Sequence, residues 1–453
     1  MSSNFINKLA DIIASPLGLV GIIIGLLIVY QAGRSRRLAW FLFTICCFAA
    51  SLSKFQDQFT TEVPALVFPL QQIRDMGRPL TIIFLGLILM LGLKKQHGWR
   101  RMFLASPIKY LLLVQGIIFI KTLAYGSISF AFLAFLTFGA VVLMLCLGPS
   151  RWLQDEQNFR LGVWSLAMVG VIFIITNSYQ AAINIYPITF VHGRLLGTTG
   201  NPQHAAVLLA ATVPCFMFLI ESQKQWSWAK VCWITGLVFI MLGLFLTGSR
   251  TGAIMGVVSI LFFYRQRGGA MLRLGLFAAI VLAIILPFLS PDGSILGTDS
   301  TALAGRFAST ANSRGQVWSA MWNGFMNNIF FGASLDGDRL GYGENSWLAA
   351  GASLGLVGFI PLVMFGVECI KMMLRLNKIS ARKPIYSLQC NTVIAGLISL
   401  LVGSIFEAFL LGNLTFSLMA LLMYLSLGKY LVDIAFTQRT LIKKLQFEYY
   451  SNN

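Results

Sequence analysis

Charge is what this chain has least of. Only 11% of its 453 residues are charged, with sixteen acids and three histidines, against 57% hydrophobic residues. A soluble globular protein carries about 25% charged residues, so a water-soluble chain of this length is excluded. The shortage of histidine excludes more. His97 lies among basic loop residues, and His192 and His204 have no thiolate companions, so zinc and a Ser-His-Asp hydrolase centre both fit poorly. The seven cysteines all sit within or beside apolar runs, leaving no disulfide framework to read. The N-terminus lacks the charged region and cleavage site of a signal peptide, and Pro16 to Gln31 is expected to remain as a first span.

What fills the chain instead is apolar helix. At roughly 20 residues per span, apolar runs predict thirteen helices. They cover 16–32, 38–53, 79–93, 107–125, 127–148, 161–178, 204–220, 230–246, 252–264, 272–289, 347–370, 388–406 and 413–428. The tight connection at Gly126 leaves twelve or fourteen open. The expected class is an all-α polytopic membrane protein of about 12–13 transmembrane helices. With no internal repeat, low-complexity stretch or soluble appendage, residues 1–453 form one membrane domain.

The basic residues fall in alternate loops. Twenty-four of the 34 lie in one set, from Arg34, Arg36 and Arg37 through Lys94, Arg151, Lys224, Arg265 and Lys371 to Lys443 and Lys444. That set carries six of the sixteen acids, so it accounts for the whole net charge of +18, and the other side is neutral. By the positive-inside rule the basic set faces the cytoplasm, where it meets anionic lipid heads. The charge therefore reports topology, and nucleic acid is not an expected partner. The N-terminus is placed outside, together with loops 179–203 and 290–346, and the C-terminal tail 429–453 inside. That tail, with Leu431, Ile434, Leu441 and Ile442 among four basic residues, reads either as a surface amphipathic helix or as a solvated end.

Three outer groups carry candidate chemistry. Gly197 to His204 reads as a turn opening a helix, with Asn201 and with Pro202 in the first turn. Thr247-Gly-Ser-Arg250 opens the next helix but one. There Ser249 can cap free N–H groups beside Arg250, an anion site if the arginine does not simply reach the headgroups. Loop 290–346 holds Arg306, Arg314, Trp318, Trp322, Asp336, Asp338 and Arg339, and ends in Gly343-Glu344-Asn345-Ser346-Trp347. Within it Ser313 to Phe330 reads as a helix, with Val317, Met321, Phe325 and Ile329 on one face. Arg314 in its first turn is poorly placed on dipole grounds unless something anionic meets it. Glu344 suits a helix start. Asp336 and Asp338 could hold a hard cation, but two carboxylates in a loop are more often solvated, and neither metal nor cofactor is expected.

Two arginines, helix N-termini and one carboxylate on one face suit displacement of a phosphate or pyrophosphate leaving group. Arginine forks neutralise the departing charge, and a carboxylate takes a hydroxyl proton. These segments, in this order, resemble the O-antigen ligase and Wzy-type polysaccharide polymerase superfamily. The resemblance lies in Gly200-Asn-Pro202, Thr247-Gly-Ser-Arg250, Arg314 to Trp318 with Phe330-Phe-Gly332, and Glu344-Asn-Ser-Trp-Leu348 with Gly355-Leu-Val-Gly358. A last stretch, Phe406-Glu407 through Gly412-Asn413, extends it, so that it covers 195 to about 430.

The resemblance implies a GT-C-type glycosyltransferase acting on undecaprenyl-pyrophosphate-linked glycan at the outer, periplasmic face of the bacterial inner membrane. It makes Arg250 and Arg314 the pyrophosphate ligands. Where ligases carry a histidine, this chain has Glu344, which with Glu407 favours a polymerase of lipid-linked repeat units over a ligase or protein O-oligosaccharyltransferase. Glu344, Arg250 and Arg314 are thus the expected catalytic residues. Substrate contacts are expected from His192, Arg194, Asn201, Ser249, Arg306, Trp318, Arg339 and Asn345. The acceptor is a lipid-linked repeat unit, or lipid A core in the ligase case, and a chain-length regulator is a further candidate partner. A lipid-linked oligosaccharide flippase is the non-enzymatic alternative, disfavoured because the spans are nearly free of charge. Lys121 is an apparent exception near a helix end.

Overall fold

The computed structural model describes residues 16–52, 65–91, 105–125, 128–188, 194–266, 294–295, 298–299, 314–333, 344–411 and 414–451. The described chain is helical except for turns and a two-residue antiparallel pairing of Ser294–Ile295 with Thr298–Asp299. In order, the helices are α1 (Pro16–Ala32), α2 (Arg36–Ser51), α3 (Leu70–Leu91), α4 (Ser106–Tyr125), α5 (Ile128–Cys146), the single turn α6 (Pro149–Trp152) and α7 (Glu156–Ile183). They continue with α8 (Pro202–Glu221), α9 (Trp228–Leu246), α10 (Arg250–Tyr264), α11 (Gly315–Asn327), α12 (Ser346–Arg382), α13 (Ser387–Phe406) and α14 (Phe416–Ser451).

Twelve of the thirteen runs expected from the sequence are helices here, and the other, 272–289, lies outside the described residues. Eight candidate spans among the described residues are long and apolar enough to cross a membrane, and three more helices carry shorter apolar stretches. This is a multi-pass membrane protein. Four helices differ most from expectation: α3 begins at Leu70 rather than 79, α7 spans Glu156–Ile183 rather than 161–178, and α12 and α14 both run on past their apolar parts. Helix α12 does not stop near residue 370 but runs 37 residues to Arg382. Its part after Gly355 alone is about 40 Å at 1.5 Å per residue, well beyond a hydrocarbon core of about 30 Å, so its basic last turns project past the apolar slab. Likewise residues 429–451 are the continuation of α14 rather than a separate tail.

Short polar side chains start these helices. Ser35, Asp155, Asn201, Ser227, Ser249 and Asn345 each accept a hydrogen bond from a backbone N–H of the first turn, satisfying donors that have no partner within the helix. Helix α8 is at the centre, packed against α7, α9, α10 and α13, and buried along most of its length. Tyr424 of α14 reaches into this core, where its hydroxyl donates to Ala211 O at 2.8 Å and its ring lies over Gly396. All seven cysteines are free thiols.

Helix α12 is broken near its start. Gly355 has φ 62°, and a Cβ there would come within 2.4 Å of the Phe330 carbonyl. The connector after α11 fits into the break: Leu356 N–H donates to Ile329 O at 2.7 Å and Ala333 N–H to Ala352 O at 2.8 Å. Lys121 of α4 closes the junction, its ammonium donating to Phe331 O, Ala333 O and Ser353 O at 2.6, 2.8 and 2.5 Å. Backbone carbonyls at the helix break and in the connector that enters it need donors, and one lysine supplies three.

Candidate functional site: a guanidinium between two carboxylates

Four helices begin at one end of the bundle, α8, α10, α11 and α12, and α13 ends there. Arg314 caps α11 and joins the other four. Its Nη1 donates to Thr251 Oγ1 of α10 at 3.4 Å, its Nη2 to Glu407 Oε1 just beyond α13 at 3.0 Å, and its Nε lies 3.1 Å from Glu344 Oε2 just before α12. Gln203, in the first turn of α8, completes the set. With its amide turned so that each end meets its complement, the N–H donates to Glu407 Oε1 and Oε2 at 3.1 and 3.2 Å, and the amide oxygen accepts from Arg314 Nη2 at 3.0 Å. The guanidinium also stands 5.6 Å over the ring of Phe406, a cation–π placement.

The backbone around Glu407 is fixed from α12. Ser346 Oγ donates to Glu407 O at 2.6 Å and accepts from Leu410 N–H at 3.4 Å, and Trp347 Nε1 donates to Ser404 Oγ at 3.0 Å. Burial sets the two acids apart: the Glu407 side chain is 9% exposed and that of Glu344 37%. Loss of water pushes the Glu407 carboxyl up to about 8, against the opposing pull of Arg314 and with a further push from the negative Glu344; Arg194 pulls it down more weakly. Near neutrality Glu407 is therefore able to hold a proton.

The expected site residues divide by position. Arg314, Glu344 and Asn345 share this cluster, and Trp318 lies one turn along α11 with its ring 6.1 Å from Phe406. Arg194 runs beside the end of α9, its Nε donating to Thr247 O at 2.8 Å, and its charge reaches Glu407. Arg250 is the half-buried first residue of α10, next to Thr251. Asn201, Ser249 and Asn345 use their side-chain oxygens as helix caps. His192, Arg306, Arg339, Asp336 and Asp338 lie outside the described residues. Among the described residues no three His, Cys, Asp or Glu side chains are grouped as a metal site.

Two side chains in the cluster carry buried polar atoms without hydrogen-bond partners among the described residues. These are the Trp318 Nε1 donor and Glu344 Oε2, which meets Arg314 Nε by charge outside hydrogen-bond geometry. Leaving such atoms unmatched costs about 1–3 kcal/mol each, and groups of this kind mark places where a ligand can supply the partner.

The residue that sequence reasoning left out of the site is Glu407, noticed there only as part of a resemblance. Its signal was available, since it is the only charged residue between Lys383 and Lys429. Gln203 and Thr251 gave no such signal; each is an ordinary first-turn residue until the helices are brought together. The chain matches no protein-family model and no curated protein.

Proposed function

We propose that this protein is a membrane glycosyltransferase that polymerises lipid-linked polysaccharide repeat units. It takes glycan from undecaprenyl pyrophosphate at the outer face of the bacterial inner membrane and needs no metal or cofactor. The observation that carries this reading is the convergence of Arg314, Glu344 and Glu407 on four helix N-termini at one end of an apolar bundle. The opposite end bears the clustered lysines and arginines that belong in the cytoplasm.

The chemistry follows from the charges. An acceptor sugar hydroxyl attacks the anomeric carbon of the donor glycan from the face opposite the pyrophosphate. A new C–O bond forms as the bond from that carbon to the pyrophosphate oxygen breaks, and the configuration inverts. The leaving undecaprenyl pyrophosphate carries off the electron pair, and its charge is met by Arg250, Arg314 and the positive ends of the helices. Glu344, the more exposed acid, takes the hydroxyl proton. When pyrophosphate draws on Arg314, Glu407 can remain protonated behind it, so no uncompensated anion is left in the protein interior.

Arg194, Asn201, Ser249, Trp318 and Asn345 are assigned to substrate contact, with His192, Arg306 and Arg339. The test is transfer by purified protein carrying Arg250→Ala or Arg314→Ala, each checked for folding by its melting temperature. Loss of transfer with binding of the acceptor retained supports the pyrophosphate clamp. Full transfer in both variants contradicts it.

A further inference from the structure

The arginine at the centre of the site is carried by a lightly held helix. Of the 13 residues of α11 only Met321 is fully buried, whereas fifteen of the 20 in α8 are. Arg314 stands at the very start of α11, so the direction of its guanidinium is set by what the side chain meets on the better-buried helices. Two acceptors meet Nη2, Glu407 Oε1 and the Gln203 amide oxygen, each at 3.0 Å. The Phe406 ring lies against the guanidinium, 5.6 Å from its centre. A planar cation with two acceptors on one nitrogen and a ring against it is held in one orientation.

Of the two acceptors, Gln203 is the one whose hold does not depend on charge. Its own backbone is fixed, since its N–H donates to Asn201 Oδ1 at 2.7 Å in the first turn of α8. Arginine only donates, and the carboxylate oxygens of Glu407 accept. One amide orientation therefore suits both, oxygen toward Arg314 and nitrogen toward Glu407. An anionic leaving group that draws on Arg314 competes with Glu407, another anion, and weakens that pairing. It does not compete with a neutral amide oxygen. The amide nitrogen meanwhile stays within 3.1 and 3.2 Å of the two Glu407 oxygens, so the buried acid keeps a donor when its arginine is engaged elsewhere.

We propose that Gln203 is a positioning residue for glycan transfer, fixing the Arg314 guanidinium on α8 so that it meets the pyrophosphate in one orientation while the amide holds Glu407 in place. Gln203 acts through Arg314 and does not itself touch the reacting atoms. The inference rests on the role proposed above for Arg314.

The test is the transfer rate of the full-length protein purified in detergent, supplied with an undecaprenyl-pyrophosphate-linked repeat unit. Wild type, Gln203→Met and Gln203→Glu are compared between about pH 5.5 and about pH 8.5, with melting temperature followed at each pH. Methionine keeps the length of glutamine without its donor or acceptor, and should slow transfer about 10- to 100-fold at every pH. The carboxyl introduced by Gln203→Glu stands against Glu407, among the charges of Arg314, Arg194 and Glu344. Protonated, it offers an O–H to Glu407 and a carbonyl to Arg314, as the amide does. Ionised, it repels Glu407 and offers it no donor. Its rate relative to wild type at the same pH should be low at about pH 8.5 and approach one at about pH 5.5. That ratio cancels the titration of His204 and of the substrate, which both proteins share. Transfer by Gln203→Met as fast as wild type would overturn the inference, and so would a Gln203→Glu ratio that does not move with pH. If Gln203→Met does not fold, the pH trend of Gln203→Glu decides alone. A wild type that transfers nothing overturns the reading of the site and this inference with it, whereas an active wild type matched by its variants overturns only the part given to Gln203.

Discussion

Arg314 Nη2 and Glu407 Oε1 lie 3.0 Å apart across 93 positions of sequence, and this contact locks the helix of the long loop to the end of α13. Both side chains are largely buried, and Gln203 binds both. Removing Arg314 strips the buried Glu407 carboxyl of a hydrogen-bond donor that water cannot replace. Arg314→Ala should therefore lower stability by about 2 kcal/mol, read as a lower melting temperature in detergent. Adding Glu407→Gln should recover part of that loss. A double variant no more stable than Arg314→Ala alone would show that the two residues are not coupled.

The raised Glu407 carboxyl gives stability a definite pH dependence. A carboxyl with an ordinary value near 4.5 when unfolded and about 8 when folded binds its proton more tightly in the native state. Its stabilising contribution is fully present below about 4.5 and declines as pH rises through about 8. Glutamine mimics the protonated acid and does not titrate. The melting temperature of wild type minus that of Glu407→Gln should fall between about pH 5 and about pH 8.5. A difference that rises with pH would mean that the native state favours the ionised form.

Lys121 is expected to be structural. Its ammonium is the donor for three backbone carbonyls at the α12 break, and methionine keeps much of the chain length without the donors. Lys121→Met should cost about 2–3 kcal/mol and loosen the connector 328–333. Hydrogen exchange there should rise while the core of α8 stays protected. Uniform change across the protein would point to global destabilisation instead.

Gly355 and Gly332 face each other at that junction, both at positive φ and each with backbone where a Cβ would stand. Alanine at Gly355 must adopt φ 62° and ψ −158°, a region essentially confined to glycine that costs about 1–3 kcal/mol, and it must also push Phe330 away. Gly355→Ala should thus be harmful, and Gly139→Ala, where a Cβ meets nothing within 4 Å, should be neutral or better. Equal melting temperatures for the two variants would contradict the tight crossing.

Most of the helical frame was legible because the membrane imposes it. Helix α8, expected at 204–220, runs Pro202–Glu221, and α4, expected at 107–125, runs Ser106–Tyr125. Apolar runs measure the thickness of the slab, however, and not helix length, so they gave no sign that α12 extends to Arg382 or that a helical tail at 429–451 is continuous with the span before it. The break at Gly355 gave no warning, since Gly355-Leu-Val-Gly358 also suits an unbroken span. At the candidate site, Arg314 and Glu344 stood out as charges in a charge-poor chain. Their meeting with Gln203, Thr251 and Glu407 depends on how α8, α10 and α13 pack, which no local pattern encodes.

The most direct test of the proposed activity is transfer in vitro by the purified protein supplied with a lipid-linked repeat unit, as wild type and as Glu344→Gln. A ladder of longer lipid-linked glycans from wild type, lost in a variant that still folds, is the predicted result. A ladder that persists in Glu344→Gln would remove Glu344 as the base. A wild-type protein that makes no ladder, and transfers glycan only when lipid A core or a protein acceptor is added or not at all, would contradict the polymerase.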